Sequence, residues 1–307
     1  MNILITRHDK IGDFITTLPL FFVIKKRYPQ ARIFALVSKV NVELAQQIDY
    51  IDEVILYDRN HLWQTLKAIK NADIEVSISA FIDTQLGWLL LLSRIQTRIA
   101  PATKLAQVFF NKTLKQRRSL VEKTEFEYNL DLAKIVDKEI NVNFKPPLLT
   151  LSENNYFIER HQLHNKKIVL FHPGYGGSSD GNLMLEDYIE LSNTARGLGN
   201  IQIIWIFGPD DLRAKEKVEV LIPKIDIIYQ PLTLLDYCYL INGSALLIST
   251  STGPMHLAGA LNINTMSFFG NNLFASPKRW ATVSEQNKQC NIVLNKTHSI
   301  ENIAKTM

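Results

Sequence analysis

Two cysteines in 307 residues, Cys238 and Cys290, are too few for a disulfide framework and lack the spacing of a zinc or redox motif. Both read as core residues of a protein from a reducing compartment. Glycine and proline are also sparse, 13 and 11. With 46% apolar and 21% charged residues, that excludes collagen-like repeats and extended disorder. No apolar run approaches the roughly 20 residues of a spanning helix. The longest, Leu86 to Leu92, is interrupted by Gly87, so any membrane contact is expected to be peripheral. The opening Met1-Asn2-Ile3-Leu4 carries no basic leader followed by a long apolar stretch, and the expectation is a cytosolic protein. Neither charge sign is in strong excess. Lys and Arg number 34 against 30 Asp and Glu, a net +4, which suits an anionic ligand or membrane surface without requiring nucleic acid.

What is present is an alternation of strand and helix patterns. Asn2 to Thr6 reads as a strand, followed by a polar loop and by Ile11, Phe14, Ile15, Leu18, Phe21 and Phe22 at helical spacing. Arg32 to Val37, Val54 to Tyr57 and Ile74 to Ser79 read as further strands, with a helix over Leu62 to Ile69. The stretch Ile135 to Leu163 is polar and contains Pro146-Pro147, which marks an interdomain connection. Strand and helix patterns then resume at Lys167 to His172 and continue through Thr265 to Phe269. The length suits two domains, placed at 1–150 and 151–307. The class is α/β, with doubly wound parallel sheets. Ligands of such sheets bind where loops leave the carboxyl ends of the strands.

Three such loops carry chemistry. In Arg7-His8-Asp9-Lys10-Ile11-Gly12-Asp13, the Asp13 carboxylate stands in the opening turn of a helix, where it serves either as a general base or as a complement to the helix dipole. Arg7, Lys10 and Gly12 are candidates for holding an acceptor or a phosphate. The second loop, Phe171-His172-Pro173-Gly174-Tyr175-Gly176-Gly177-Ser178-Ser179, can turn backbone N–H groups toward a phosphate. It is neither a Gly-x-Gly-x-x-Gly fingerprint nor a P-loop. The third runs Ser249-Thr250-Ser251-Thr252-Gly253-Pro254-Met255-His256 from a strand into a helix. Its N-terminal amides and dipole suit a diphosphate, with Thr252 and His256 at hand. An ordinary capped helix with His256 packed inside explains the same pattern. No Asp-x-Asp pair or His/Cys cluster stands out to hold a metal.

Taken in order, these pieces resemble glycosyltransferase family 9, the bacterial lipopolysaccharide heptosyltransferases. The resemblance rests on Ile3 to Asp13 with Thr16, Leu18 and Pro19, then Glu125 to Leu132, His172-Pro173-Gly174 and Phe207-Gly208-Pro209-Asp210. Ser251-Thr252-Gly253-Pro254-Met255-His256-Leu257-Ala258 and Phe268-Phe269-Gly270 complete it. It implies a GT-B architecture of two facing Rossmann-like domains, the first taking the acceptor and the second an ADP-activated heptose. Asp13 then becomes the catalytic base of an inverting, metal-independent transfer. Gly174, Ser178, Ser179, Ser251, Thr252, Gly253, Pro254, Met255 and His256 become donor-binding positions. The implied co-substrate is ADP-heptose, with no cofactor. The implied acceptor is a lipopolysaccharide core or related glycolipid or oligosaccharide, met at the cytoplasmic face of the inner membrane. Two departures stand out. Gly181, Asn182, Leu183 and Met184 replace a basic residue and a tryptophan, and Ser251 stands where an acidic residue is common. A nucleotide-sugar epimerase and a non-catalytic sugar-nucleotide or glycan-binding protein are the alternatives. A basic stretch, Lys104 to Arg118, and a closing helix over Ile300 to Met307, packing back on the first domain, complete the expectations.

Overall fold

The run Asn2–Arg7 is buried from Ile3 onward, as a central parallel strand covered on both faces must be. It is β1 of a six-stranded sheet, with β2 at Arg32–Val37, β3 at Glu53–Leu56, β4 at Val76–Ser79, β5 at Thr97–Pro101 and β6 at Lys112–Leu114. The computed structural model describes residues 1–151, 156–174, 182–208, 211–294 and 303. The chain divides into two compact units, Met1–Leu148 and Leu149–Met307. The second holds another six-stranded sheet: β7 Lys167–His172, β8 Ile201–Ile206, β9 Ile227–Tyr229, β10 Leu246–Thr250, β11 Asn264–Phe269 and β12 Gln289–Val293.

The strand orders are β3-β2-β1-β4-β5-β6 and β12-β11-β10-β7-β8-β9, and every pairing is parallel. Counted within each unit, these are the same order read from opposite edges. The winding direction reverses between β1 and β4 in one sheet and between β7 and β10 in the other. Such switch points leave a crevice outside the carboxyl ends of the strands, where ligands of open α/β sheets bind. In the first unit Leu4, Phe34, Leu36 and Ile69 form part of the core. In the second, Phe171 stacks on Trp205 at 4.9 Å within a cluster that also buries Tyr188 and Phe268.

The single helix expected after β1 is two, Ile11–Ile15 and Leu18–Arg27. The hydroxyls of Thr16 and Thr17 both donate to the Asp13 carbonyl, at 2.8 and 3.0 Å. Pro19, lacking an N–H, opens the second helix. Strands β5, β6 and β12 have no counterpart in the sequence reading. Arg98, Lys112 and Gln289 break their apolar pattern, as suits strands at or near a sheet edge. The run Leu86 to Leu92 belongs to a helix, Thr84–Leu92, capped by Asp83. No helix among the described residues is long and apolar enough to cross a membrane. Of the closing segment only Ile303 is described, and it is buried in the core of the second unit.

Candidate active site

The first unit brings its chemistry to the ends of β1 and β4. Arg7, the last residue of β1, is 3% exposed and serves three carboxylates. Its Nε donates to Asp9 at 2.8 Å, its Nη2 to Asp13 at 2.5 Å, and its Nη1 to Glu125 at 3.4 Å. Burial works against the guanidinium charge, but the three anions outweigh it and hold it above its ordinary range. Arg118 brings a second cation to Glu125 at 2.5 Å. Three carboxylates thus gather round two guanidiniums. Solvent still reaches Asp9 and Asp13, 20% and 18% exposed, but hardly Glu125, 2% exposed. Burial, reinforced by Asp9 and Glu125 and opposed by Arg7, pushes the Asp13 carboxyl up from 3.8 to about 6. Spacing alone left Asp13 open as a general base or a helix-dipole complement; in the structure it is a largely desolvated carboxyl paired with Arg7.

Its backbone is fixed as firmly. Besides the two threonine hydroxyls on its carbonyl, Asn129 donates to the Thr16 carbonyl at 3.1 Å and to the Thr17 hydroxyl at 3.3 Å. Asn129 and Glu125 lie one turn apart on the helix Glu125–Asp131, whose start is closed by a Thr124–Glu127 capping box. One helix therefore holds both Arg7 and the Thr16-Thr17 bend. His8 is buried beside Tyr57 and Phe81, at ring distances of 4.3 and 5.2 Å. Its Nε2 meets Asp83 at 2.9 Å. Burial would raise Asp83, but hydrogen bonds from His8 and the Leu86 amide hold it at about 2. Lys10 is exposed at the loop crest, and Gly12 sits in the first turn of the helix.

In the second unit the corresponding loops leave β7 and β10. Gly174 abuts Asp211, and a Cβ there would overlap the Asp211 carboxylate. That carboxylate accepts the Gly208 amide at 2.8 Å, and His172 Nδ1 lies 3.1 Å from the Ile206 carbonyl. Burial lowers the His172 imidazole below its ordinary value against the pull of Asp211. With the ring neutral, Nδ1–H is the natural donor to Ile206. Asn182, one of the departures noted above, donates to the Pro173 carbonyl at 3.0 Å and accepts the Tyr188 hydroxyl at 2.8 Å. It ties the start of the loop to the helix Leu185–Arg196. Ser178, Ser179 and Asp210 lie outside the described residues.

After β10, Ser251, Thr252, Gly253 and Pro254 are partly exposed, while Met255 and His256 are buried. The helix Gly253–Ala260 begins there with Pro254 in its first turn. Thr252 occupies the cap position but does not cap. Its hydroxyl turns back to the Thr250 carbonyl at 3.3 Å, so the first amides of the helix receive no side-chain oxygen from it. Met255 can serve a ligand only through its backbone, and His256 packs edge-on against Trp280 at 6.1 Å. Tyr237, near His172 at 6.4 Å, is a residue that sequence reasoning missed. Its hydroxyl is buried with no hydrogen-bond partner among the described residues, and nothing in its helical setting sets it apart from core aromatics.

Gly174→Ala should force the Asp211 carboxylate off the Gly208 amide. Overpacking of this kind costs about 1–3 kcal/mol, read as a lower melting temperature. An unchanged melting temperature would mean that the loop yields freely.

Comparison with known proteins bears on the whole chain. Residues 65–306 match the model of glycosyltransferase family 9 (heptosyltransferase). A candidate glycosyltransferase of Haemophilus influenzae is 32% identical over 303 residues, 94% of this chain and 87% of that protein. Among solved structures, the ADP-heptose lipopolysaccharide heptosyltransferase II of E. coli superposes with a TM-score of 0.84 at 18% identity, covering 99% of this chain and 97% of that one. The E. coli heptosyltransferase WaaC with ADP gives 0.77 at 15% identity, covering 100% and 98%. The two parallel sheets thus have the GT-B fold of those enzymes, and by its sequence match the chain belongs to glycosyltransferase family 9.

Proposed function

We propose that this glycosyltransferase moves a heptose from ADP-heptose to a hydroxyl of a lipopolysaccharide core or related glycan, inverting the anomeric carbon. The observation that carries the mechanism is the partly exposed Asp13 carboxyl at the first sheet's switch point, raised to about 6. A base with that affinity is mostly ionised at neutral pH yet takes a proton more readily than an ordinary carboxylate. The acceptor O–H gives its proton to Asp13 as its oxygen bonds to the sugar carbon. The bond from that carbon to the diphosphate oxygen breaks, and its electron pair leaves with ADP. The developing charge is met in the second unit by the amides opening the helix Gly253–Ala260, with the Thr252 hydroxyl beside them. Gly174 lets the neighbouring loop approach closely, and Ser178, Ser179 and Ser251 complete the donor positions in this proposal. Lys10 and Gly12 are assigned to the acceptor side. Arg7, with all its charge committed to carboxylates, positions Asp13.

A panel of nucleotide sugars tests this, since a ligand of the folded state raises the melting temperature. ADP-sugars should raise it, and UDP- and GDP-sugars should not. ADP release should require acceptor and should persist in the presence of a metal chelator. Turnover of donor without acceptor would favour an epimerase, and ADP binding without transfer to any extracted glycolipid would favour a binding protein.

The pH dependence follows from Asp13. The base works deprotonated, so log kcat/KM should rise with unit slope below about pH 6 and level off above it. Stability runs the other way. The folded chain binds this proton more tightly than the unfolded one, so the contribution is full below pH 3.8 and is lost as pH rises through about 6. A rate profile flat from pH 5 to 7 would remove Asp13 as the base.

A further inference from the structure

From Thr84 to Val121 the chain holds seven lysines and arginines and no aspartate or glutamate. The whole protein is only +4, so the remainder is net acidic and the basic charge is concentrated in this stretch. The same stretch exposes apolar side chains in register. On the helix Thr84–Leu92, Leu86, Leu89 and Leu90 face the core, while Trp88, Leu91 and Leu92 are exposed at i, i+3 and i+4. The 3₁₀ turn Leu105–Phe109 packs on this helix because Gly87 lacks the Cβ that would strike the Phe109 ring. The Trp88 and Phe109 rings meet at 5.0 Å. Residues i and i+3 of a 3₁₀ turn lie over one another, so Leu105 and Val108, 90% and 77% exposed, share one outward face.

We infer that this face of the first unit docks on an anionic lipid bilayer. The apolar side chains enter the acyl boundary, and Arg94, Lys112 and Lys115, all exposed, lie against the phosphate headgroups. Charge complementarity selects this occupant. A second copy of the chain would set two such basic stretches against each other, whereas a bilayer rich in anionic lipid answers both the apolar face and its basic surround. The inference rests on the proposed reading for its purpose, since a lipid-linked acceptor would be presented at that surface. The face also adjoins the Asp13 loop. The Lys104 ammonium lies 3.8 Å over the Phe81 ring, and the same ring lies 5.8 Å from the Arg7 guanidinium.

The test is sedimentation of the full chain with vesicles of phosphatidylcholine alone, and of phosphatidylcholine with one part in four phosphatidylglycerol. Binding should be at least about tenfold tighter to the anionic vesicles and should weaken with added salt. Leu105→Ser combined with Val108→Ser should cut it by about tenfold or more. Lys112→Gln and Lys115→Gln should each weaken it about fivefold. The melting temperature and the ADP-induced shift should be unchanged in all of these variants. Equal binding to both vesicle types, or undiminished binding by the serine variant, would overturn the inference. So would a lipid-free dimer that the serine substitutions dissociate. Vesicle binding needs neither donor nor acceptor. A chain that binds vesicles but transfers no sugar sinks the proposed function and leaves the docking face standing, and a chain that glycosylates a soluble core oligosaccharide without binding vesicles does the reverse.

Discussion

Asp13→Asn should fold normally and transfer sugar about 10²–10⁴ times more slowly, the usual contribution of a positioned general base. The loss should fall on kcat, because asparagine keeps the size and polar contacts of the side chain but cannot take a proton. Nucleotide binding, a property assigned to the second unit, should be unaffected. The variant should also melt higher than the parent at neutral pH. A carboxyl displaced from 3.8 to about 6 opposes folding by on the order of 1–3 kcal/mol at neutral pH, and the neutral amide removes that cost. Slower transfer with a raised melting temperature separates a desolvated base from a helix-capping carboxylate, whose loss would lower stability. Near-parental transfer from the correct donor would refute the mechanism.

Arg7→Met carries the second large effect. It takes the guanidinium from Asp9 and Asp13 and one of the two from Glu125. Removing one partner of a buried ion pair costs roughly 3–5 kcal/mol. Asp9 and Asp13 remain 20% and 18% exposed and can relax by taking protons, so the lower end is expected, a fall in melting temperature of roughly 10 °C. The Asp13 carboxyl should climb above its parental value, because Arg7 is the principal group holding it down. A larger fraction of the base would then be protonated at pH 7, and the ascending limb of the rate profile should move to higher pH with partial recovery of activity there. A role for Arg7 in gripping substrate instead predicts a raised KM and an unmoved profile. Arg7→Lys should rescue little, since an ammonium cannot fork to three carboxylates.

The parallel α/β class and the loops at the switch points were legible because strands buried on both faces read as continuous apolar runs, and the chemistry sits directly after them. Ile3 to Ile5 and Leu247 to Ile248 mark β1 and β10 without help from the fold. The pairing around Asp13 was not legible. Glu125 stands 118 positions from Arg7, and no local pattern shows that the two meet or that the meeting buries both. Arg7 therefore read as a ligand-facing cation, whereas its three donating nitrogens are all turned to protein carboxylates. The Thr16-Thr17 bend was hidden for a related reason. Apolar spacing continues through it, while the hydroxyls returning to the Asp13 carbonyl and the missing N–H of Pro19 interrupt the helix. In the second unit the sequence left open a diphosphate site with the Thr252 hydroxyl at hand or an ordinary capped helix, and it did not show that this hydroxyl turns to the Thr250 carbonyl and leaves the helix start uncapped. Edge strands such as Lys112–Leu114, short and charged, offered no periodicity to read.

That bend also has a mechanical side. Asp13 stands on a single helical turn, Ile11–Ile15, separated from the ten-residue helix Leu18–Arg27 and clamped at its far end by Thr16, Thr17 and Asn129. The position of Asp13 is thereby set by the bend and by the helix Glu125–Asp131 that holds it, not by the length of the helix that follows.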